Sequence, residues 1–245
     1  MRQSISATRE VLRRLFFQRC FYLFVTLLAL ITLAPFIEAG RSGIIIRNLV
    51  NAFVILFAVA AVGRSLLSFL VVLALAAPAL AFRWMSLEPE NPALFDLALR
   101  FDAAVYAATI ALLLRYVLHR EVLTADRLWG AAAAYLMIGV LWSFLYAIVD
   151  HAGPESFAIR GSAATLELMD LLYFSFSTLT TTGFGDIVPL ARLAKAAAIV
   201  ESIAGQLFLA ILIAKLVGVN PQPRHAEESA HSRRRHDRLE RRRSI

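Results

Sequence analysis

Hydrophobic positions in this chain fall in long, nearly uninterrupted blocks rather than alternating or recurring every third or fourth residue. Six blocks stand out: 20–37, 44–62, 65–82, 93–118, 128–149 and 193–219. A helix crossing the hydrocarbon core of a bilayer takes about 20 apolar residues, so each block predicts a transmembrane helix. Only Gly63 and Arg64 separate the second from the third, which predicts a tight helical hairpin. Pro35 and Pro78 fall near predicted span ends, where a missing backbone donor costs little. A seventh block, 166–179, is too short to cross. Lying between two full spans, it predicts a re-entrant helix.

Composition strengthens this picture. Hydrophobic residues make up 59% of the 245 positions and the mean hydropathy is +0.67, well beyond what an ordinary soluble domain carries. The formal charge of +7 could suggest a nucleic-acid partner, but the basic residues gather at the two ends, a pattern that membrane topology explains and nucleic-acid binding does not. With the N-terminus inside, 18 of the 25 Lys and Arg residues fall on the cytoplasmic side. The positive-inside rule thus places both termini in the cytoplasm, as six crossings require. The first apolar block is too long for the core of a cleaved signal and is read as a retained span. Glu88, Glu90, Asp150, Glu155, Glu167 and Asp170 then fall on or near the outer side, either as an acidic vestibule that concentrates cations or as solvated loop residues. The single cysteine, Cys20, excludes an intrachain disulfide and reads as a packing residue.

The segment 173–189 reads YFSFSTLTTTGFGDIVP. A short apolar helix runs into threonines, then two glycines separated by one residue, then an aspartate. Glycine permits backbone angles that other residues resist, so such a strand can aim successive carbonyls to one side. Four copies around an axis would stack rings of oxygen able to replace the water shell of a monovalent cation. The segment resembles the pore loop of potassium channels, whose filter is usually T-V-G-Y-G. The matching residues are Thr181, Thr182, Gly183, Phe184 and Gly185. Thr182 replaces the usual valine and Phe184 the usual tyrosine.

The resemblance implies an all-α membrane protein of six transmembrane helices plus a re-entrant pore helix and selectivity-filter loop. It implies potassium sites at Thr181, Thr182, Gly183 and Phe184, Thr180 facing the cavity below, and Asp186 at the outer mouth. Ser177 takes the place of a glutamate that in some relatives pairs with the post-filter aspartate, and Tyr173, one turn earlier, could reach Asp186 instead. In the last span Gly205 lies 20 residues beyond Gly185, as a hinge glycine or a close-packing one. Gln206, Leu209, Ile213 and Val217 share one helical face, which would line the cavity, with Ile213 and Val217 able to form a hydrophobic constriction. Glu201, an acid at membrane depth, marks function by default. Its position one turn before Gly205 points it away from the cavity, toward the pore helix, to brace the filter, with a pH-sensing role or a partly wet place near the outer end as the alternatives.

The implied organisation is a basic N-terminus (1–19), a peripheral four-helix domain (20–120), a pore domain (128–219) and a basic tail (220–245). The resemblance covers only 128–219. The fourth span holds just Arg100 and Arg115, with Asp96 and Asp102 near the first, too few charges for steep voltage dependence. Asn48 and Asn51, with Arg47, read as interhelical glue. The tail can favour anionic lipids, and His225, His231 and His236 within it show no metal-ligand spacing. One chain supplies one filter strand, so a homotetramer is expected. The alternative is a non-selective monovalent cation channel of the same fold. A transporter would need a repeated half, which is missing from the sequence, and no catalytic set, metal cluster or cofactor motif is present. K+ is the expected permeant ion, with no cofactor. The alanine- and arginine-rich composition suggests a bacterial inner membrane.

Overall fold

A computed structural model of the chain describes residues 19–36, 41–62, 66–85, 92–118, 124–153, 155–164 and 166–218. The N-terminal segment, the turn at Gly63 and Arg64, the side chain of Arg47, Glu88, Glu90 and the basic tail lie outside them. Helices occupy the apolar blocks: α1 Arg19–Leu33, followed by a 3-10 turn at Ala34–Phe36; α2 Arg41–Val62; α3 Leu66–Met85; α4 Pro92–Leu118; α5 Ala125–Ala152; α6 Leu168–Leu179; and α7 Arg192–Gly218. Four of them are long and apolar enough to cross a membrane: α3, α4 from Ala93, α5, and α7 as far as Lys215. Pro78 sits inside α3 rather than near its end. The helix runs on to Met85, because a lost backbone bond is tolerated where neighbouring helices supply the packing.

Consecutive helices pack as neighbours, and α1 also lies along α5. Small residues make that approach close. A side-chain carbon added at Gly130 would sit 3.3 Å from the sulfur of Cys20, which is fully buried. Polar side chains join α2, α3 and α4. Arg83 pairs with the fully buried Asp102, its Nε donates to Asn48 Oδ1 at 3.1 Å, and the Tyr106 hydroxyl donates to Asn51 Oδ1 at 3.0 Å. Asn51 Nδ2 in turn faces Asp102 Oδ1 at 3.3 Å. Asn48 thus has Arg83 as its partner, while Asn51 is held by Tyr106 and Asp102. In an apolar layer such groups have few alternatives to one another.

Beside the helices, which fit an all-α membrane protein, the described residues form one small sheet. Three short strands, β1 Phe157–Ile159, β2 Ser162–Ala164 and β3 Ile187–Pro189, form an antiparallel sheet in the order β2-β1-β3. Arg160 (φ 49°) and Gly161 (φ 87°) connect β1 to β2 in the two-residue, left-handed turn that matches strand twist. The sheet lies between α5 and α7 in sequence and ties the strand after α6 to the hairpin before it.

Candidate functional site

The short helix α6 is anchored at its start. The Leu166 N–H donates to Asp150 Oδ2 at 3.1 Å and the Glu167 N–H to Asp170 Oδ2 at 3.3 Å. Asp150 is therefore a buried anchor between α5 and α6 and not a vestibular acid. At the other end the Thr180 hydroxyl donates to Phe176 O at 2.7 Å and the chain turns back on the helix. The N–H groups of Thr182 and Gly183 both donate to Ser177 O, at 2.9 and 3.1 Å, and that of Thr181 donates to Thr178 O at 2.9 Å. Ser177 thus holds the following strand through its carbonyl, while its hydroxyl donates to Phe174 O at 2.9 Å.

The backbone hand alternates along that strand. Thr181, Gly183 and Gly185 have φ of 58°, 55° and 77°, and Thr182 and Phe184 between them do not share it. The N–H groups of Thr181, Thr182 and Gly183 are thus all drawn toward α6. Residues 180–186 are all exposed. Carbons added at Gly183 and Gly185 would meet nothing within 4 Å, so glycine is required there by conformation and not by crowding. At Thr181 the left-handed conformation (φ 58°) costs about 1–2 kcal/mol. The carbonyl end of α6 also carries a partial negative charge favourable to a cation.

Outside the glycines, the Phe184 ring stacks on Tyr173 at 5.9 Å and 10°. Desolvation, then the hydrogen bond and charge of Asp186, raise the pKa of the Tyr173 phenol. Asp186 accepts from its neighbour's backbone, Ile187 N–H to Oδ1 at 3.0 Å, and its carbonyl accepts from the Arg160 N–H at 2.8 Å. The hairpin therefore holds the outer end of the strand, as Ser177 holds the inner end.

Behind α6, α7 brings up Glu201, which is fully buried. The Tyr146 hydroxyl on α5 donates to its Oε2 at 2.5 Å, and the Ser175 hydroxyl on α6 lies 2.5 Å from its Oε1. Ser175 Oγ is also 2.7 Å from Gly139 O. One turn on, a carbon added at Gly205 would sit 2.2 Å from Leu179 O. Gly205 is a close-packing glycine, where the end of α6 touches α7. Gly139 plays the same part under Phe176, whose ring atoms would lie 2.6–2.9 Å from an added carbon.

Gln206, Leu209, Ile213 and Val217 are exposed along α7. Between the last two, Lys215 donates to Val117 O at 3.0 Å and Leu118 O at 2.5 Å, capping the end of α4. Sequence reasoning missed Gly139, Tyr146, Ser175 and Lys215. Nothing local flags the first, because Gly139 follows Gly130 by nine residues, which puts the two on opposite faces of the helix.

Residues 131–220, which include every site residue above except Gly130, match the family model described as ion channel. Protein LctB of Bacillus caldotenax is 28% identical over 99 residues, 39% of this chain and 73% of that protein. No solved structure matches the chain. The family match supports an ion channel domain, and with it passive ion conduction and not catalysis. Together with the four long apolar helices, it indicates a membrane protein.

Proposed function

We propose that this chain is one subunit of a homotetrameric, potassium-selective channel of six transmembrane helices. The observation that carries the reading is the strand 181–185. Its left-handed residues recur at every second position, the N–H groups of Thr181, Thr182 and Gly183 are tied to α6, and the whole strand is exposed, an arrangement that leaves its carbonyls free to face a central ion path. Thr181, Thr182, Gly183 and Phe184 supply the oxygens that replace the hydration shell of K+. Gly185 completes the alternation and Asp186 stands at the outer mouth.

Assembly follows from what one chain leaves uncovered. Of its 18 most apolar residues, α7 buries 11%, against 50% for α5, although both are apolar enough to span. In a fourfold ring the uncovered faces of α7 divide between neighbouring subunits and a central cavity lined by Thr180, Gln206, Leu209, Ile213 and Val217, the last two closing by dewetting. Helices α1 and α2 complete the six crossings, with both termini inside and a bacterial inner membrane as the location. Helix α4 offers little to a voltage sensor, because Arg100 pairs with Asp96 at 2.8 Å and Asp102 is taken by Arg83. K+ is the permeant ion and no cofactor takes part. The basic tail favours anionic lipid.

The test is the reversal potential of the purified protein in planar bilayers with K+ on one side and Na+ on the other. A value near the potassium equilibrium potential is expected. A value near zero would mean a non-selective cation pore, with Thr182, the departure from the usual filter, as the first residue to change.

A further inference from the structure

Behind the filter, three oxygen–oxygen contacts meet in one buried cluster: Tyr146 Oη to Glu201 Oε2 at 2.5 Å, Ser175 Oγ to Glu201 Oε1 at 2.5 Å, and Ser175 Oγ to Gly139 O at 2.7 Å. Each is at hydrogen-bond distance and needs a proton between its oxygens. Tyr146 and Ser175 bring one proton each, and the Gly139 carbonyl brings none. Two protons cannot serve three contacts. The third has one available source, the carboxyl group itself.

We infer that Glu201 is held as a neutral carboxylic acid and acts as a positioning residue for the filter. Its Oε1–H donates to Ser175 Oγ, the Ser175 hydroxyl donates to Gly139 O, and the Tyr146 hydroxyl donates to Oε2, so every polar atom of the cluster is satisfied. Burial points the same way. Glu201 is fully buried, and among the described residues no Lys, Arg or His forms an ion pair with it. Helix α5 presents the phenols of Tyr146 and Tyr135 to it and α6 presents Ser175. An unpaired anion in such surroundings is costly, and the neutral acid removes that cost while keeping a donor. The relay joins α7, α6 and α5 two residues before Ser177, whose carbonyl holds the N–H groups of Thr182 and Gly183. Its effect on current rests on the channel reading above, whereas the protonation state does not.

Infrared difference spectroscopy separates the two. The full-length protein in lipid at neutral pH should show the carbonyl stretch of a protonated carboxylic acid that disappears in Glu201→Gln. Ser175→Ala should shift that band, because the acid loses its acceptor. Absence of the band in the unaltered protein, or a band unmoved by Ser175→Ala, overturns the inference whether or not the protein conducts. In bilayers Glu201→Gln, which keeps a donor and an acceptor, should retain K+ current within about twofold. Glu201→Ala should lower steady current by about tenfold, equivalent to about 1.4 kcal/mol. Equal loss in both variants would overturn the relay even with the band present. A protein that shows the band but passes no ions in any form would sink the channel reading alone.

Discussion

Replacing Gly205 by alanine should be far more damaging than replacing Gly139, and the two should respond oppositely to a second change. The alanine carbon at 205 would lie 2.2 Å from Leu179 O, where ordinary contact begins at 3.4 Å. The end of α6 and α7 must therefore separate by about 1.2 Å, carrying the strand tethered to Ser177 and Thr178 with them. At 139 the nearest atoms, at 2.6 Å, belong to the Phe176 ring, a side chain that can be shortened. Overpacking costs about 1–3 kcal/mol, and the gain in helix propensity from Gly to Ala returns about 1 kcal/mol. At 139 the balance is about 1 kcal/mol against the fold. At 205, where backbone must move, it is at least about 2 kcal/mol. Phe176→Leu should rescue Gly139→Ala, with a coupling of about 1 kcal/mol or more. Leu179→Ala should not rescue Gly205→Ala, since it removes a methyl at 2.9 Å and leaves the carbonyl at 2.2 Å. Thermal unfolding of the four single and two double variants in lipid, scored as two mutant cycles, reads both couplings. A wild-type unfolding midpoint for Gly205→Ala, or its full rescue by Leu179→Ala, would refute the close approach. Altered open probability at unchanged stability would instead make Gly205 a hinge.

Three further outcomes are expected. Gly183→Ala and Gly185→Ala meet no steric obstacle but force a side chain into the left-handed region at about 1–2 kcal/mol per copy, or about 4–8 kcal/mol in a fourfold ring, so the reversal potential should move toward zero or K+ current should vanish. Lys215→Gln removes a cation from the carbonyl end of α4, where it is worth about 0.3–1 kcal/mol; open probability should change by up to about fivefold at an unchanged reversal potential. Tyr173→Phe keeps the stack on Phe184 and loses the hydroxyl near Asp186, so current should decline faster during sustained activity, and an identical time course would make that hydroxyl irrelevant.

The apolar helices were legible because a bilayer leaves each one a signature readable without its partners, a run of residues nearly free of charge. The strand after α6 was legible for a similar reason, since glycines two apart next to Thr181 encode backbone hand locally. What stayed hidden depends on pairing. Nothing in the neighbourhood of Arg83 says that its partner is Asp102, nineteen residues on in another helix. Asp150 read as an outer acid because it ends an apolar run, yet it is buried by the loop that returns to start α6. Ser175 looks like any small helical residue until α7 sets a carboxyl against it. The strands hold three residues each, too few for an alternating pattern to emerge, and only the Arg160–Gly161 turn hints at them. Pro78 was placed near a helix end because its ring usually stops one, which a helix supported on its flanks does not require.

The three-stranded sheet makes the outermost segment of the 181–186 strand answerable to a surface hairpin. Asp186 passes its carbonyl to Arg160, and β3 follows immediately along β1, so fewer than ten backbone atoms separate a solvent-facing turn from Gly185. On the proposed channel reading, whatever grips, cuts or crosslinks that turn pulls on the mouth of the pathway directly, without any helix having to move.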